Sequence, residues 1–181
     1  MEYYPQNNEL AVVPEQETSG SAIAQGISVV QAEKKHWYSI TAMTEAFFPY
    51  AGFSYDEIMR RLNTSNIFYF VALSGGHSVG FVDFELKEKS AQILGLAVLE
   101  EHRCKGIGAK LLGKAVEEIV SLARERNLQL KSIDLMVSEA NPAAQKLYER
   151  FGFFTAGKLE KQLWGQDILV YSKKLVELGV N

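Results

Sequence analysis

At 181 residues, with 47% hydrophobic and 23% charged side chains, the chain is long enough for one domain with a real core and short for two. A formal net charge of −3 gives no electrostatic footprint for nucleic acid, the single cysteine, Cys104, excludes an intramolecular disulfide framework, and three histidines without metal spacing predict no metal site. No apolar run approaches the roughly 18 residues of a membrane span and no basic-then-apolar leader opens the chain, which together predict a cytoplasmic protein without a membrane partner.

Residues 1–25 are rich in Pro, Gln, Asn, Glu, Ser and Gly and lack apolar periodicity, which predicts a flexible tail ahead of a domain over 26–176 and a short tail at 177–181. A β-branched strand is expected at 27–30 and a helix over 33–47, with Trp37, Ile40, Thr41 and Thr44 along one side and Pro49 as its stop. Ser54 and Glu57 form a capping-box pattern that opens a second helix. Between the two lies an aromatic loop, Phe47-Phe-Pro-Tyr-Ala-Gly-Phe53.

Strands follow at 67–73 and 78–86, joined by Ser74-Gly-Gly-His77, a hairpin turn by composition. The strand at 91–98 is apolar at every position from Ile93 to Val98, as a central strand covered on both faces should be. Ile107, Leu111, Ala115, Ile119 and Leu122 then repeat at helical spacing over 107–126. After a strand at 132–137, Asn141 as N-cap and Pro142 at N1 open another helix, which Gly152 closes. Strands at 154–159 and 168–174 flank a predicted loop, 161–167. The order β-α-α-β-β-β-α-β-α-β-β predicts a single α/β domain with a mixed central sheet.

The chemistry is expected in Arg103-Cys104-Lys105-Gly106-Ile107-Gly108, placed between a buried strand and a long helix. Two glycines let the backbone approach a ligand, and the N–H groups and dipole of the first helical turn suit a phosphate or pyrophosphate. Arg103, Lys105, Lys110 and Lys114 are too few for a polymer but enough for a small polyanion. A dinucleotide fingerprint fails because Leu111 stands where its third glycine belongs. A P-loop match from Gly108 to Lys114 fails because Ala115 offers no hydroxyl to Mg²⁺ and the segment lies inside the helical pattern.

The remaining reading is an acyl-CoA loop. Arg103, Gly106 and Gly108, after Leu96-Ala-Val98, resemble the R/Q-x-x-G-x-G/A signature of the GNAT acetyltransferases. Asn141-Pro-Ala-Ala-Gln-Lys-Leu-Tyr-Glu-Arg-Phe-Gly-Phe153 resembles that family's N-x-x-A-x-x-L-Y-x-x-x-G-F helix. The resemblance covers residues 27–175 and implies a GNAT-type fold in which the strands at 94–98 and 133–137 splay apart. It implies acetyl-CoA as co-substrate, its pantetheine paired with Leu96, Ala97 and Val98 and contacted by Asn141. Its pyrophosphate would be held by Arg103, Cys104, Lys105, Gly106, Ile107, Gly108 and Ala109.

The activity so implied is transfer of an acetyl group to a primary amine, on a peptide or a small molecule, by direct attack. Tyr148 would protonate the departing thiolate, or else be a satisfied core tyrosine. Where many relatives carry a glutamate, eleven positions before the loop arginine, this chain has Gln92, which cannot take a proton. Asp83 and Glu85 are spaced to share a strand face, and either is a candidate base or a solvated carboxylate. Phe47, Phe48, Tyr50 and Phe53 are the expected acceptor wall, opposite the loop at 161–167. A non-catalytic acyl-CoA-binding module on the same fold is the alternative, and a homodimer is compatible with such a chain.

Overall fold

A computed structural model describes residues 26–48, 52–163 and 165–175, the side chains of 161–163 excepted. The expected tails and Tyr50 lie outside the described residues. The chain runs through β1 (Ile27–Gln31), α1 (Trp37–Phe47), α2 (Tyr55–Leu62), β2 (Ile67–Ser74), β3 (His77–Leu86), β4 (Ser90–Val98), α3 (Ile107–Glu125), β5 (Ser132–Ser138), α4 (Pro142–Arg150), β6 (Phe154–Leu163) and β7 (Gln166–Lys174). The strands form one mixed sheet in the order β1-β2-β3-β4-β5-β7-β6. Only β4 and β5 pair in parallel, as the intervening helix α3 requires.

Alternation along the central strands divides the core between the two sheet faces. Phe70 and Ala72 of β2 and Val82, Phe84 and Leu86 of β3 join Leu111, Leu112, Ala115 and Ile119 of α3 and Leu147 of α4. Tyr69 and Val71 of β2 and Phe81 of β3 face the other way, onto Ile40 and Met43 of α1. β4 breaks this parity. Ala91 and Ile93 share the α3 side with Leu96 and Val98, because the register against β3 steps from Phe84↔Ile93 to Asp83↔Gly95 and leaves Leu94 as an extra residue. This β-bulge turns Leu94 and Gly95 toward the same side of the sheet.

Three local expectations change. Lys34–His36 form a 3₁₀ turn rather than the start of α1. Glu33 caps it, its backbone N–H donates to Nδ1 of His36 over 3.0 Å, and His36 is buried. The hairpin after β2 is tighter than expected, with Gly75 and Gly76 at φ of +55° and +84°, both in the left-handed region that a two-residue turn needs. The predicted loop 161–167 is largely strand, since β6 runs to Leu163 and β7 resumes at Gln166. Long antiparallel pairing between these two strands extends order past the last apolar alternation.

Candidate active site

The site begins where two parallel strands part. β4 pairs with β5 from Ser90↔Ser132 to Ile93↔Leu135 and no further, while β5 stays paired with β7 through Ser138↔Ile168. β4 keeps its other neighbour up to Val98↔Gly80. From the bulge onward, the β5-facing edge of Leu96, Ala97 and Val98 therefore has no strand against it, and the expected splay is present. Close packing holds the opposite edge. A Cβ at Gly80 would lie 2.6 Å from the Ala97 carbonyl oxygen.

The same strand leads into the loop before α3. Cys104 and Gly106 take φ of +61° and +75°, left-handed turns that reverse the backbone twice within three residues and bring the N–H groups of the loop together at the start of α3. The Arg103 N–H donates to the Glu100 carbonyl and the Lys110 N–H to the Gly106 carbonyl. Among the described residues, the six N–H groups between them, from Cys104 to Ala109, meet no acceptor. A concavity of unpaired donors at the positive end of a 19-residue helix fits a pyrophosphate. Arg103 is braced rather than loose: its Nε donates to the Val98 carbonyl over 3.1 Å and its guanidinium lies 5.4 Å from the Phe47 ring centre. The Lys105 ammonium donates to the Glu101 carbonyl, and Cys104 is exposed.

Asn141 caps α4 by accepting the Ala144 N–H over 3.0 Å, as its position before Pro142 predicts. Tyr148, on the apolar side of α4, is buried against the rings of Phe153 and Tyr171, each 6.1 Å away between centroids. Among the described residues its hydroxyl has no hydrogen-bond partner. The one fully buried polar side-chain atom left unpaired is Thr41 Oγ1, so the Tyr148 hydroxyl keeps an open tip. Burial pushes that hydroxyl well above the ordinary tyrosine range, which keeps its proton on.

A cavity of about 390 Å³ lies on the α1–α2 side of the sheet, and the bulge residues Leu94 and Gly95 line it. Phe48, Phe53, Ile58, Ile67 and Phe81 make its walls apolar; Arg61, Tyr69, Asp83 and Glu85 are its polar groups, with Thr44. The strand pairings Tyr69↔Asp83↔Gly95 set three of these residues in one row across the sheet. A Cβ at Gly95 would come within 2.7 Å of Asp83 Oδ1 and 3.3 Å of the Phe48 ring, so the row needs glycine there.

Asp83 is 2% exposed. Arg61 Nη2 donates to its Oδ2 over 2.8 Å, and the Tyr69 hydroxyl adjoins both groups. Loss of solvent raises the Asp83 carboxyl to about 6, against the opposing pull of the guanidinium. Glu85 lines the same cavity but is differently held. It accepts from Asn66 Nδ2 over 3.0 Å and pairs with Lys87 at 3.3 Å. Gln92 stands directly across from Glu85 and accepts from the Lys87 ammonium over 2.8 Å.

The two carboxylates expected on one strand face thus meet in one cavity, and Asp83 is not the solvated group that the sequence left open. Phe48 and Phe53 line that cavity; Phe47 does not, because the last turn of α1 points it toward Arg103. Its described lining comes from α1, α2, the segment between them and β2 to β4, with none from the β6–β7 turn. Arg61, Tyr69, Leu94 and Gly95 escaped the sequence reading. Arg61 reads as a cation in the last turn of a helix, where its charge suits the dipole. Matching the parity of 67 and 69 to that of 81, 83 and 85 was the signal that could have found Tyr69.

A family model described as the acetyltransferase (GNAT) family matches residues 35–153. No match was found among curated proteins. Among solved structures the chain is similar to Ard1 from Thermoplasma volcanium, with 21% identity over 84% of this chain and 99% of that one and a TM-score of 0.69. It is also similar to NAA60 of Arabidopsis thaliana in complex with acetyl-CoA, at 18% identity over 82% and 98% and a TM-score of 0.71. Spermidine N-acetyltransferase from Vibrio cholerae, in complex with CoA and spermine, matches at 20% identity over 83% and 96% with a TM-score of 0.68. With its split parallel strand pair, its donor-lined loop and a family match over more than half of its length, the chain belongs to the GNAT family of acetyltransferases.

Proposed function

We propose that this acetyl-CoA-dependent acetyltransferase acetylates a primary amine held in the cavity beneath the bulge of β4, by direct attack. The observation that carries this reading is the continuity of that strand. Leu94 and Gly95 floor the cavity, and Leu96, Ala97 and Val98 immediately after them present the unpaired edge. When bound, acetyl-CoA supplies an activated thioester. The unpaired edge suits its pantetheine amides, with Asn141 beside it, and the N–H groups of Cys104 to Ala109 suit its pyrophosphate.

Asp83 takes the proton that the amine loses on forming the amide bond. A base titrating near 6 is ionised at neutral pH and still has useful proton affinity. Glu85, tied to Asn66 and Lys87, is the second candidate for that proton. The Tyr148 hydroxyl, held protonated by burial, donates to the departing thiolate. Phe48 and Phe53 exclude water from the reacting amine, and Tyr50 remains an expected part of the same wall.

The test is thiol release from acetyl-CoA across a panel of primary amines. The expected outcome is amine-dependent turnover that falls by about 100-fold in Asp83→Asn, within the usual range for a general base. Turnover unchanged in that variant at every pH would remove Asp83 from the mechanism. Absence of turnover with every amine would favour a binding module on this fold.

A further inference from the structure

The polar groups of the cavity are unequal in how fully they are used. Arg61 is one-quarter exposed, and its guanidinium is held rigidly by Nη2 on Asp83 and by the face of Phe53, 4.6 Å from the ring centre. A guanidinium offers five N–H donors in a planar fork. Arg61 donates to Asp83 Oδ2 and its guanidinium adjoins the Tyr69 hydroxyl, which together occupy only part of that fork and leave further donors for a ligand in the cavity it lines. A rigid, partly desolvated and under-used fork is the arrangement that binds a carboxylate bidentately.

The charges around it narrow the ligand further. Among the described residues, one cation, Arg61, and two carboxylates, Asp83 and Glu85, are the charged groups of the lining, and the first two are in contact at 2.8 Å. A ligand matching them carries a cation and an anion close together. The rest of the lining is aromatic and aliphatic, and about 390 Å³ is the size of a small-molecule site. A polycation would bring positive charge against Arg61 inside apolar walls, where like charges repel strongly. A neutral lysine side chain on a peptide would leave the fork unmatched, which costs affinity in a desolvated site.

We propose that the acceptor is a small zwitterion, an apolar α-amino acid whose carboxylate docks on the open fork of Arg61 while its amine lies against Asp83 and Glu85. This rests on the cavity being the acceptor site. It also gives Asp83 a second contribution: a carboxylate on the far side of Arg61 shares the guanidinium's charge, so the bound acceptor itself strengthens the base beside its amine.

The experiment compares phenylalanine, leucine and methionine with their amides, together with phenethylamine and spermidine. Two readouts are taken on the full chain: thiol release from acetyl-CoA, and calorimetric binding of each compound to the chain saturated with CoA. Each amino acid is expected to exceed its amide by about 100-fold in kcat/KM, the scale on which sites built for a polar group reject its absence. Arg61→Lys keeps a cation for Asp83 but loses the fork, and should cut that ratio to about 10-fold. Arg61→Gln should bring it near unity. Damage to the fold alone would slow acid and amide together and leave the ratio where it was.

Equal use of acid and amide by the unaltered chain, or preference for spermidine, overturns the proposal while leaving amine acetylation intact. Binding of the amino acids but not the amides, with no turnover of any amine, upholds the carboxylate site and removes the transfer mechanism instead. Binding of neither, without turnover, removes the proposal.

Discussion

Asp83 is a carboxylate set among aromatic rings, and its proton affinity follows from which neighbours win. Desolvation lifts it from 3.8 to about 6 although Arg61 pulls the other way. The folded chain therefore holds this proton more tightly than the unfolded chain. Its contribution to stability is full below about 3.8 and is lost as pH rises through about 6. Between those values Asp83→Asn should flatten the pH dependence of urea midpoints relative to the unaltered chain. In kinetics the sign reverses, because a base works only when ionised: with Asp83 in the proposed role, kcat/KM should fall as pH drops below about 6, and Asp83→Asn should lose that limb. Glu85→Gln should change turnover by less than about tenfold if Asp83 is the base. Tyr148→Phe keeps the packing against Phe153 and Tyr171 and should cost about 10- to 100-fold in turnover near neutral pH. A thiol near 8.5 leaves tolerably without help, so that loss should shrink at higher pH. A Tyr148→Phe chain that melts lower but turns over normally would make the hydroxyl a structural group.

At the scale of elements, β4 organises the site. Its bulge turns two consecutive residues to the cavity, its first half pairs with β5, and its second half does not. The glycine opposite that second half is as constrained as the bulge. Gly80→Ala would drive a methyl group to 2.6 Å from the Ala97 carbonyl and 3.2 Å from Leu111 Cδ1. We expect a loss of about 1–3 kcal/mol in urea denaturation, the usual cost of overpacking. Because the displaced residues, Ala97 and Val98, carry the unpaired edge on their other side, acetyl-CoA affinity should weaken with it. Such strand details are poorly legible in sequence. Ile93 to Val98 is apolar throughout, so no alternation marks where parity switches, and pairing with β5 depends on residues 42 positions away. The helices were more legible because caps are local: Ser54 accepts the Glu57 N–H and Asn141 the Ala144 N–H, as their spacing implies.

For the whole molecule, the sheet separates two cores, with the cavity on the α1 side and the donor-lined loop heading the helix on the other. Among the described residues no helix is long and apolar enough to cross a membrane. A ligand that spans the parted strands binds the folded state alone and stabilises it by mass action. At about 100 times its dissociation constant, acetyl-CoA should contribute about 2.7 kcal/mol. For a chain of this size that corresponds to a melting temperature higher by about 5–10 °C in differential scanning calorimetry. Gly108→Val should abolish the shift while far-UV circular dichroism stays unchanged. A full shift in that variant would place the pyrophosphate elsewhere.

The amino-acid sequence by itself determined what depends on neighbours a few positions apart. It specified the helices through 3.6-residue periodicity and caps, the hairpin through Gly75 and Gly76, and the turn into α3 through glycines placed before a helix. Two motifs in the right order were enough to identify the family resemblance, because each encodes a local backbone requirement. Only the tertiary structure decided what depends on distant residues meeting. It brought Arg61 of α2 to Asp83 of β3, set Tyr69 and Gly95 beside that carboxylate, and turned Phe47 from the cavity to Arg103. It also desolvated Asp83. Whether a carboxylate is buried or solvated depends on every element packed above it, and no local pattern in β3 records which helix will cover that face.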